Sequence, residues 1–241
     1  VIIRSTWNYQ DYLDEFLNVL RTIDQSRALL LNPLPLIKWN VNKTYLKDLK
    51  KNGIPIIPSL FFEDFDIDEV MSSFNTFDSE KVIIKPTVGA NADKIMIIKK
   101  SDTIYKLKKA KDTYKNRTFI LQPFINSIKT DGETSLIFFN KGFSHGLSKV
   151  PKKGDFRVQE EHGGTLELLE NLDEQIINLC KKVLSLLPYD CFYSRIDLVF
   201  DKGHPLLMEI EVIEPSLYFN LEPKSAKLFA KKVNDFFNHQ C

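Results

Sequence analysis

Apolar residues recur along this chain of 241 residues at two spacings, one typical of helices and one typical of strands. The helical spacing predicts amphipathic helices near residues 12–23, 42–51, 66–76, 101–115, 171–187 and 223–238. Short apolar or alternating runs predict strands near residues 1–4, 29–31, 81–86, 95–98, 119–122, 133–140, 143–150, 192–200 and 206–212. Because helices and strands are interspersed and the last third contains neighbouring strands with tight turns, the pattern predicts an α+β fold with a mostly antiparallel C-terminal sheet.

Two of the predicted strands carry acidic residues that point in one direction. Glu209 and Glu211 are two positions apart on a strand, so their side chains share a face. If the turn before this strand is centred near Lys202 and Gly203, Asp197 lies opposite Glu209 or within one position of it. Three carboxylates then crowd one face of a sheet, where like charges repel each other. We therefore expect a positive charge at this place.

The three carboxylates offer hard oxygen ligands, which favour magnesium or calcium over zinc. Magnesium usually binds one or two carboxylates together with phosphate oxygens, so the pattern indicates one or two magnesium ions shared with a phosphorylated ligand. The alternative interpretation is a solvated face of an antiparallel sheet, whose polar residues alternate for that reason alone. The acidic pattern by itself leaves both interpretations open.

Isolated basic residues stand where strands are predicted to end. Lys85 and Lys149 each close a strand shortly before a proline, Arg195 shares the predicted face of Asp197, and Arg157 lies in a polar loop. A lysine at the end of a buried strand is costly unless its charge is used, and phosphate would use it. Each residue alone is more often a surface residue than a ligand, but together with the carboxylates the set fits a site for polyphosphate and magnesium.

The charge balance and the missing motifs narrow the classes of function. Lys+Arg is 33 and Asp+Glu is 32, so the net charge is +1 and no overall basic field points to nucleic acid. The sequence contains neither GxxxxGK[ST] nor GxGxxG, and His145 and His162 have no GxSxG beside them. No apolar run reaches the roughly 20 residues that span a bilayer. Cys180, Cys191 and Cys241 form no metal-binding spacing and are typical of a reduced cytoplasmic protein.

A series of short motifs also occurs in a fixed order along the chain. The motifs are WNVNK at 39–43, IKP at 84–86, QPFI at 122–125, GETS at 132–135, KVP at 149–151, GDFRVQ at 154–159, GG at 163–164, RID at 195–197 and EIE at 209–211. This series resembles the ATP-grasp ligases, in particular their glutathione synthetase-like and RimK-like branch, and is similar in style to the cyclo-ligases of cycloserine biosynthesis. The resemblance covers nearly the whole chain from Arg4 onward and rests on order and spacing, since no single motif is decisive.

The resemblance implies an ATP-grasp fold, in which two α/β lobes clasp ATP. On this basis residues 1–40 are the end of an N-terminal α/β domain (the pre-ATP-grasp domain), residues 41–121 are the central small lobe, and residues 122–241 are the C-terminal lobe with the metal site. Because Val1–Arg4 reads like a strand already under way, we expect the N-terminal domain to be truncated.

The resemblance also assigns roles to individual residues in both lobes. The residues implied for ATP are Lys43 and Lys85 at the phosphates, Gln122, Pro123, Phe124 and Ile125 at the adenine hinge, and Glu133 at the ribose. The implied catalytic residues around the γ-phosphate are Lys149, Arg157 and Arg195, and the implied ligands of two magnesium (or manganese) ions are Asp197, Glu209 and Glu211. Many relatives have asparagine where this chain has Glu211, which adds charge but keeps an oxygen ligand.

The implied reaction joins a small-molecule carboxylate to an amine or a similar nucleophile, through an acyl phosphate formed from ATP. The polar loop from Lys152 to Gly164 is expected to close over the site, or else to be a solvated surface loop. Glu214-Pro215-Ser216 is expected either to touch the carboxylate substrate or to be a plain turn. Two other functions stay open, a small-molecule kinase and a non-catalytic module that binds MgATP. No nucleic acid or membrane partner is expected, and because relatives are often dimers or tetramers a homo-oligomer is a further possibility.

Overall fold

The computed structural model describes residues 1–238, so Cys241 lies outside the described residues. The helices of this part are α1 (Leu13–Asp24), α2 (Leu34–Asn40), α3 (Tyr45–Lys51), α4 (Ile67–Thr76), α5 (Ile104–Thr113), α6 (Glu174–Ser185) and α7 (Pro223–Asn238). Its strands are β1 (Leu60–Phe62), β2 (Lys81–Pro86), β3 (Met96–Lys99), β4 (Phe119–Pro123), β5 (Glu133–Phe139), β6 (Gly142–Val150), β7 (Thr165–Leu168), β8 (Tyr193–Asp201) and β9 (His204–Glu211). The predicted α+β class is confirmed.

The smaller sheet has four antiparallel strands in the order β1-β4-β2-β3. Helices α4 and α5 pack on it through an apolar cluster that includes Phe74, Tyr114 and Phe119. The buried Tyr114 donates a hydrogen bond from its hydroxyl to the carbonyl of Ile84 (3.0 Å), so its polar end is satisfied inside the core. This packing positions β2, the strand on which Lys85 lies.

The larger sheet has five antiparallel strands in the order β7-β6-β5-β8-β9. Its β8–β9 pair places Asp197 opposite Glu209 and Arg195 opposite Glu211, which confirms the register expected from the turn. A β-bulge follows Asp197. Because side chains alternate between the faces of a sheet, these four residues share one face.

Strand β9 is an edge strand of the larger sheet, and the N-terminal segment covers its open edge. Asn40 at the end of α2 donates to the carbonyl of Ile210 (2.8 Å) and accepts from the N–H of Val212 (3.3 Å). The hydroxyl of Tyr45, at the start of α3, accepts from the N–H of Ile210 (2.9 Å). Backbone groups that would otherwise be unpaired at this edge are thereby satisfied, and the strand carrying two of the acids is held in place.

The N-terminal region contains less sheet than the sequence predicts. Ile2 and Leu31 form an isolated parallel bridge, so the continuous strands predicted at 1–4 and 29–31 are wrong. The apolar residues of these runs pack instead with α1 and α2 in a small cluster. Sequence analysis also missed α2, which begins directly after Pro33, as well as the short strands β1 and β7. A proline in the first turn, here Pro35, leaves the helix intact because that turn needs no donor there.

Candidate active site

A cleft between the two sheets brings together most of the residues that the sequence singles out. From the predicted set, the residues that line it are Lys43, Lys85, Gln122, Pro123, Ile125, Glu133, Lys149, Arg157, Arg195, Glu209 and Glu211. Asp197 and Phe124 belong to the same set but are not among the lining residues. Both are buried in the walls of the cleft.

Asp197, Glu209 and Glu211 form a compact group, called here the carboxylate trio. One carboxylate oxygen from each lies within 4.8 Å of the others. The Asp197 side chain is only 1% exposed, whereas those of Glu209 and Glu211 are 26% and 31% exposed. The trio therefore has a buried member at its base and two members that reach the cleft, which is not the solvated sheet face of the alternative interpretation.

Arg195 holds two members of the trio together. Its guanidinium donates from Nε and from Nη2 to Asp197 (both 2.9 Å) and from Nη2 to Glu211. Burial alone would raise the pKa of Asp197, but Arg195 and Lys149 outweigh burial and hold that pKa well below its usual range. Burial raises the pKa of Glu211 to about 7, because Arg195 offsets it only in part. The trio thus retains an affinity for further positive charge.

Lys149 is the centre of a second buried ionic group, beside the trio. Its Nζ pairs with Glu133, which lies opposite it on β5, and is 3.7 Å from Asp197. The hydroxyl of Ser135 is within hydrogen-bonding reach of both acids. Burial alone would lower the pKa of Lys149, but the two carboxylates outweigh burial and raise the pKa. Glu133 is therefore ion-paired next to the trio, and its assignment to the ribose stays a prediction.

Two lysines face the trio from outside the larger sheet. Lys43 Nζ lies 3.3 Å from Glu209 and donates to the carbonyl of Gly89 (2.8 Å). Lys85 lies on β2, is 7% exposed, and forms no ion pair or hydrogen bond through its ammonium group within the described part of the chain. Burial lowers the pKa of Lys85 to about 8, although the nearby Glu209 opposes the shift. An unpaired, desolvated ammonium group at the wall of a cleft is a strong candidate for binding an anion.

The segment from Gln122 to Ile125, the predicted adenine hinge, joins the two lobes along one side of the cleft. Gln122, Pro123 and Ile125 line the cleft, and the Gln122 side chain donates to the hydroxyl of Ser59 (2.9 Å). Phe124 is different, because its ring is buried and its N–H donates to the carbonyl of Lys81 (2.9 Å). Phe124 is therefore placed to support the hinge from behind.

The polar loop from Lys152 to Gly164 contributes several residues to the lining of the cleft. Phe156, Arg157 and Val158 line the cleft, and Val158 is also buried against the core. The Arg157 side chain is 39% exposed and donates from Nε and Nη2 to Asp155 (3.2 and 2.8 Å). Arg157 is thus held by its own loop and does not contact the trio in this structure.

Sequence analysis missed aromatic residues at one end of the cleft. Trp7 and Tyr9, which precede α1, line it together with Glu214, Ser216 and Tyr218, which follow β9. The position of Glu214-Pro215-Ser216 after the acidic strand was the one available signal. Nothing in the sequence pattern indicates that Trp7 and Tyr9 would reach this place, because the carbonyl of Trp7 accepts from Asn91 (3.2 Å) and the other lining residues begin only at Asn40.

The ATP-grasp domain model of prokaryotic glutathione synthetases matches residues 66–225, more than half of the chain. The chain belongs to this ATP-grasp family. It is an ATP-grasp ligase, an ADP-forming enzyme that makes carbon–nitrogen bonds. The N-terminal residues 1–32 match a second model, that of the N-terminal domain of D-cycloserine synthetase DcsG.

Individual relatives agree with this ATP-grasp assignment. The chain is 27% identical over 251 aligned positions to the cycloserine biosynthesis protein DcsG of Streptomyces lavendulae, covering 97% of this chain and 81% of that one. The crystal structure of D-cycloserine synthetase DcsG superimposes with a TM-score of 0.84 at 26% identity, covering 98% of this chain and 82% of the other.

A more distant ATP-grasp structure shares the fold alone. The D-alanine–D-alanine ligase from Bacillus anthracis, complexed with ATP, superimposes with a TM-score of 0.67 at 17% identity. The match covers 90% of this chain and 71% of that ligase.

Within residues 1–238, no helix combines the length and the apolar character required to cross a membrane.

Proposed function

We propose that this ligase uses ATP to phosphorylate a small-molecule carboxylate and then joins the acyl phosphate to an amine, releasing ADP and phosphate. One observation carries the proposal. A buried lysine, Lys85, has no ion-pair or hydrogen-bond partner for its ammonium group among residues 1–238, and it faces the carboxylate trio across the cleft, with Glu209 as its largest electrostatic attraction. A nucleotide phosphate chain with its divalent ion carries the complementary charges, negative for Lys85 and positive for the trio.

The donor set fits magnesium. Three carboxylates, with oxygens within 4.8 Å of each other, are the hard ligands that magnesium prefers, and manganese has a similar preference. Asp197, Glu209 and Glu211 would hold two ions. When bound, such ions neutralise the charge that develops on a transferring phosphoryl group.

The cleft supplies complementary groups for the rest of the nucleotide. Lys43 and Lys85 would bind the phosphates. The hinge residues Gln122, Pro123 and Ile125 would contact the adenine, with Phe124 supporting them from behind and Glu133 retained as the candidate for the ribose. Because these residues come from both sheets, closure of the lobes would enclose the nucleotide.

The reacting groups would be stabilised by basic side chains on the larger sheet. A carboxylate oxygen of the substrate attacks the γ-phosphorus in line, and ADP leaves. Lys149 and Arg195, held by strands β6 and β8, stabilise the charge on the transferred group. The amine then attacks the acyl carbon, loses a proton, and displaces phosphate. Arg157 would approach from the polar loop, which excludes water from the acyl phosphate.

Trapping with hydroxylamine tests this reaction. Purified enzyme with MgATP is supplied with amino acids and dipeptides, and with molecules that carry a carboxylate and an amine together, since one relative is a D-cycloserine synthetase. We expect ADP release that depends on the carboxylate, an ATP-dependent hydroxamate with hydroxylamine, and a condensed product by mass spectrometry. Transfer of ¹⁸O from labelled carboxylate to phosphate would identify the acyl phosphate directly.

The same assay distinguishes the other two functions. ADP release with a stable phosphorylated product, and no hydroxamate, would show a small-molecule kinase. Tight MgATP binding without turnover across the panel would show a non-catalytic module. Either result would overturn the proposed reaction.

The proposal also covers the domain organisation of the chain, its cellular environment, its substrates and its oligomeric state. We retain the division into residues 1–40, 41–121 and 122–241. Leu36 of α2 and Leu46 of α3 both pack in the core of the larger sheet and so connect the first two parts to the third. The thiols of Cys180 and Cys191 are buried and unpaired with each other, which suits a reducing, cytoplasmic environment. Small molecules are its substrates, and a homo-oligomer is compatible with the family.

A further inference from the structure

We propose that Asn32 is a positioning residue for the metal site, because its side chain fixes the backbone next to Glu211. Asn32 lies in the N-terminal segment directly before Pro33 and is only 1% exposed. It is not among the residues that line the cleft, so it acts through the backbone of β8 and β9. The inference rests on the proposed function, because it concerns a carboxylate that is assigned there to magnesium.

The Asn32 side chain uses its full hydrogen-bonding capacity on the backbone of two strands. Its Nδ2 donates to the carbonyls of Tyr193 and Val212 (both 2.7 Å). Its Oδ1 accepts from the N–H groups of Phe192 and Tyr193 (2.6 and 3.3 Å). A carboxamide has two N–H donors and two acceptor sites on its oxygen, so all four are used. An ionised carboxylate could not donate, and an apolar side chain would deprive buried backbone groups of these partners.

These hydrogen bonds lie where the regular pairing of β8 and β9 stops. The last cross-strand pair at this end is Arg195 with Glu211, and Val212 follows directly. Asn32 bridges Tyr193 and Val212 just beyond that pair, where a longer ladder would have backbone hydrogen bonds. The spacing of the two strands at Arg195 and Glu211 is therefore set by a side chain from the N-terminal segment.

A second asparagine holds the other polar group of Val212. The N–H of Val212 donates to Oδ1 of Asn40 (3.3 Å), whereas its carbonyl accepts from Asn32. Val212 is 0% exposed, so side chains satisfy both of its backbone groups inside the protein. Because Asn40 also lines the cleft, Asn32 is the member of this pair that can be changed without removing a group from the cleft.

The backbone conformation of Asn32 offers a clean way to remove its contacts. Its φ is +61°, in the left-handed region that asparagine and glycine tolerate best. Glycine keeps this conformation and loses all four hydrogen bonds. Asn32→Gly therefore detaches the N-terminal segment from β8 and β9 at this point without adding backbone strain.

Glu211 is the member of the carboxylate trio that depends most on this arrangement. Glu209 lies inside the β8–β9 ladder opposite Asp197. Glu211 is the last paired residue of β9, and its side chain is the most exposed of the three (31%). Groups that orient metal ligands without binding the ion usually contribute a factor of about 10–100 to its affinity. Releasing the backbone after Glu211 should therefore weaken the binding of a divalent ion.

Binding of Mn²⁺ to the protein loaded with AMP-PNP tests the inference. Electron paramagnetic resonance of the free ion gives the number of bound ions and their dissociation constants. Asn32→Gly should raise at least one of these constants about tenfold or more, while the affinity for AMP-PNP without metal stays close to the original value. Asn32→Asp, which has the same shape but no donors when ionised, should behave in the same way.

Two controls separate positioning from a general loss of stability. Asn116→Gly makes the same change at another left-handed position (φ +58°) with an exposed side chain, so it should change neither Mn²⁺ binding nor the melting temperature. Val183→Ala removes buried volume in the core of the larger sheet, so it should lower the melting temperature and leave Mn²⁺ binding intact. Faster hydrogen exchange of the Phe192 amide in Asn32→Gly would report the lost contact without any metal.

An unchanged Mn²⁺ affinity in Asn32→Gly would overturn the inference. An equal loss of affinity in Val183→Ala would also overturn it, because Asn32 would then only stabilise the fold. If Asn32→Gly does not fold, Asn32→Asp decides the question, since it keeps the two acceptor contacts.

Failure of the proposed reaction can be told apart from failure of this inference. If no substrate releases ADP but Mn²⁺ affinity depends on Asn32, the reaction is wrong and the positioning role stands. If ADP release and hydroxamate formation are observed but Mn²⁺ affinity is independent of Asn32, the reaction stands and the positioning role is wrong. Absence of Mn²⁺ binding by the original protein would overturn both the magnesium site and the role of Asn32.

Discussion

The charged side chains on the two walls of the cleft differ in whether they form ion pairs. On the larger sheet, every member of the carboxylate trio already has a basic partner, Arg195 for Asp197 and Glu211, and Lys43 for Glu209. On the smaller sheet, Lys85 is buried without an ion pair in the described chain.

This difference separates charges that are already paired in the unliganded protein from a charge that is not. The acids and bases of the larger sheet stabilise one another, so removing one member leaves a buried charge and weakens the fold. Lys85 loses hydration and gains no ion pair or hydrogen bond through its ammonium group within the described chain. Keeping its charge therefore lowers the free energy of unfolding. A residue of this kind is expected to be useful only when an anion is bound.

Asp197→Asn should have the largest effect on stability and activity, because it removes one charge from the paired network on the larger sheet. The substitution leaves Arg195 and Lys149 without their shared partner, so we expect the free energy of unfolding to fall by about 3–5 kcal/mol. Activity should fall by roughly a thousandfold. Urea denaturation and steady-state ADP release measure the two effects, and Asp112→Asn, at an exposed aspartate on α5, is the control that should change neither.

Gly132→Ala should destabilise the larger sheet through a backbone effect near Lys149. Gly132 has φ +74°, and an added Cβ would overlap the carbonyl of Lys149. Strain and overlap together should lower the free energy of unfolding by about 3 kcal/mol. Gly154→Ala is the matched control, because Gly154 also has positive φ (+93°) but nothing lies within 4 Å of the added atom. Thermal or urea unfolding that ranks the two variants equally would contradict the predicted overlap.

Lys85→Met should act on the opposite wall with the opposite sign for stability. Removing a desolvated charge should leave the unliganded protein as stable as before or more stable. ATP affinity should fall roughly 10- to 100-fold, because a charge-assisted contact to phosphate is lost. Calorimetric titration with AMP-PNP and urea unfolding give both numbers. A variant that loses stability and keeps its ATP affinity would remove the contrast between the walls.

The pH dependence of stability should show whether Lys85 is desolvated in the folded protein. The pKa of Lys85 is lowered to about 8 from 10.5 in an unfolded chain. Between these values the unfolded chain binds more protons than the folded one, so the contribution of Lys85 makes stability rise with pH. The stability difference between the original protein and Lys85→Met should therefore shrink from pH 8 towards pH 10.5. A difference that is constant over this range would show that Lys85 is not desolvated.

The polar loop should show the smallest effect on the fold. Arg157→Ala should leave the melting temperature nearly unchanged, because the Arg157–Asp155 pair is partly exposed to solvent. Turnover should fall roughly tenfold if the loop carries Arg157 to the reacting groups. Asp155→Asn should keep turnover, since it frees Arg157, and Lys153→Ala in the same loop should change nothing. Equal turnover in all three variants would leave the loop without a catalytic role.

How far the sequence predicts this site depends on where the partners lie along the chain. Asp197 and Glu209 belong to adjacent strands of one hairpin, and their pairing followed from strand periodicity and turn chemistry. The pairing of Lys149 with Glu133 also lies within one hairpin, but the pattern did not reveal it. Residue spacing alone does not identify which cross-strand pair is buried.

The N-terminal residues were the least predictable part. Apolar runs at 1–4 and 29–31 suggested strands, yet they form one isolated bridge, because a short apolar run packs equally well without a sheet partner. Trp7 and Tyr9 line the cleft together with residues that are distant along the chain, which local spacing does not reveal.

By itself the sequence determined the α+β class, the acidic and basic residues of the cleft and the family, because these depend on local periodicity and on residues at characteristic spacings. Only the tertiary structure decided which charges are paired and which are buried without a partner. Desolvation is a property of the whole surrounding packing, and for Lys85 that packing comes from segments far apart in the chain.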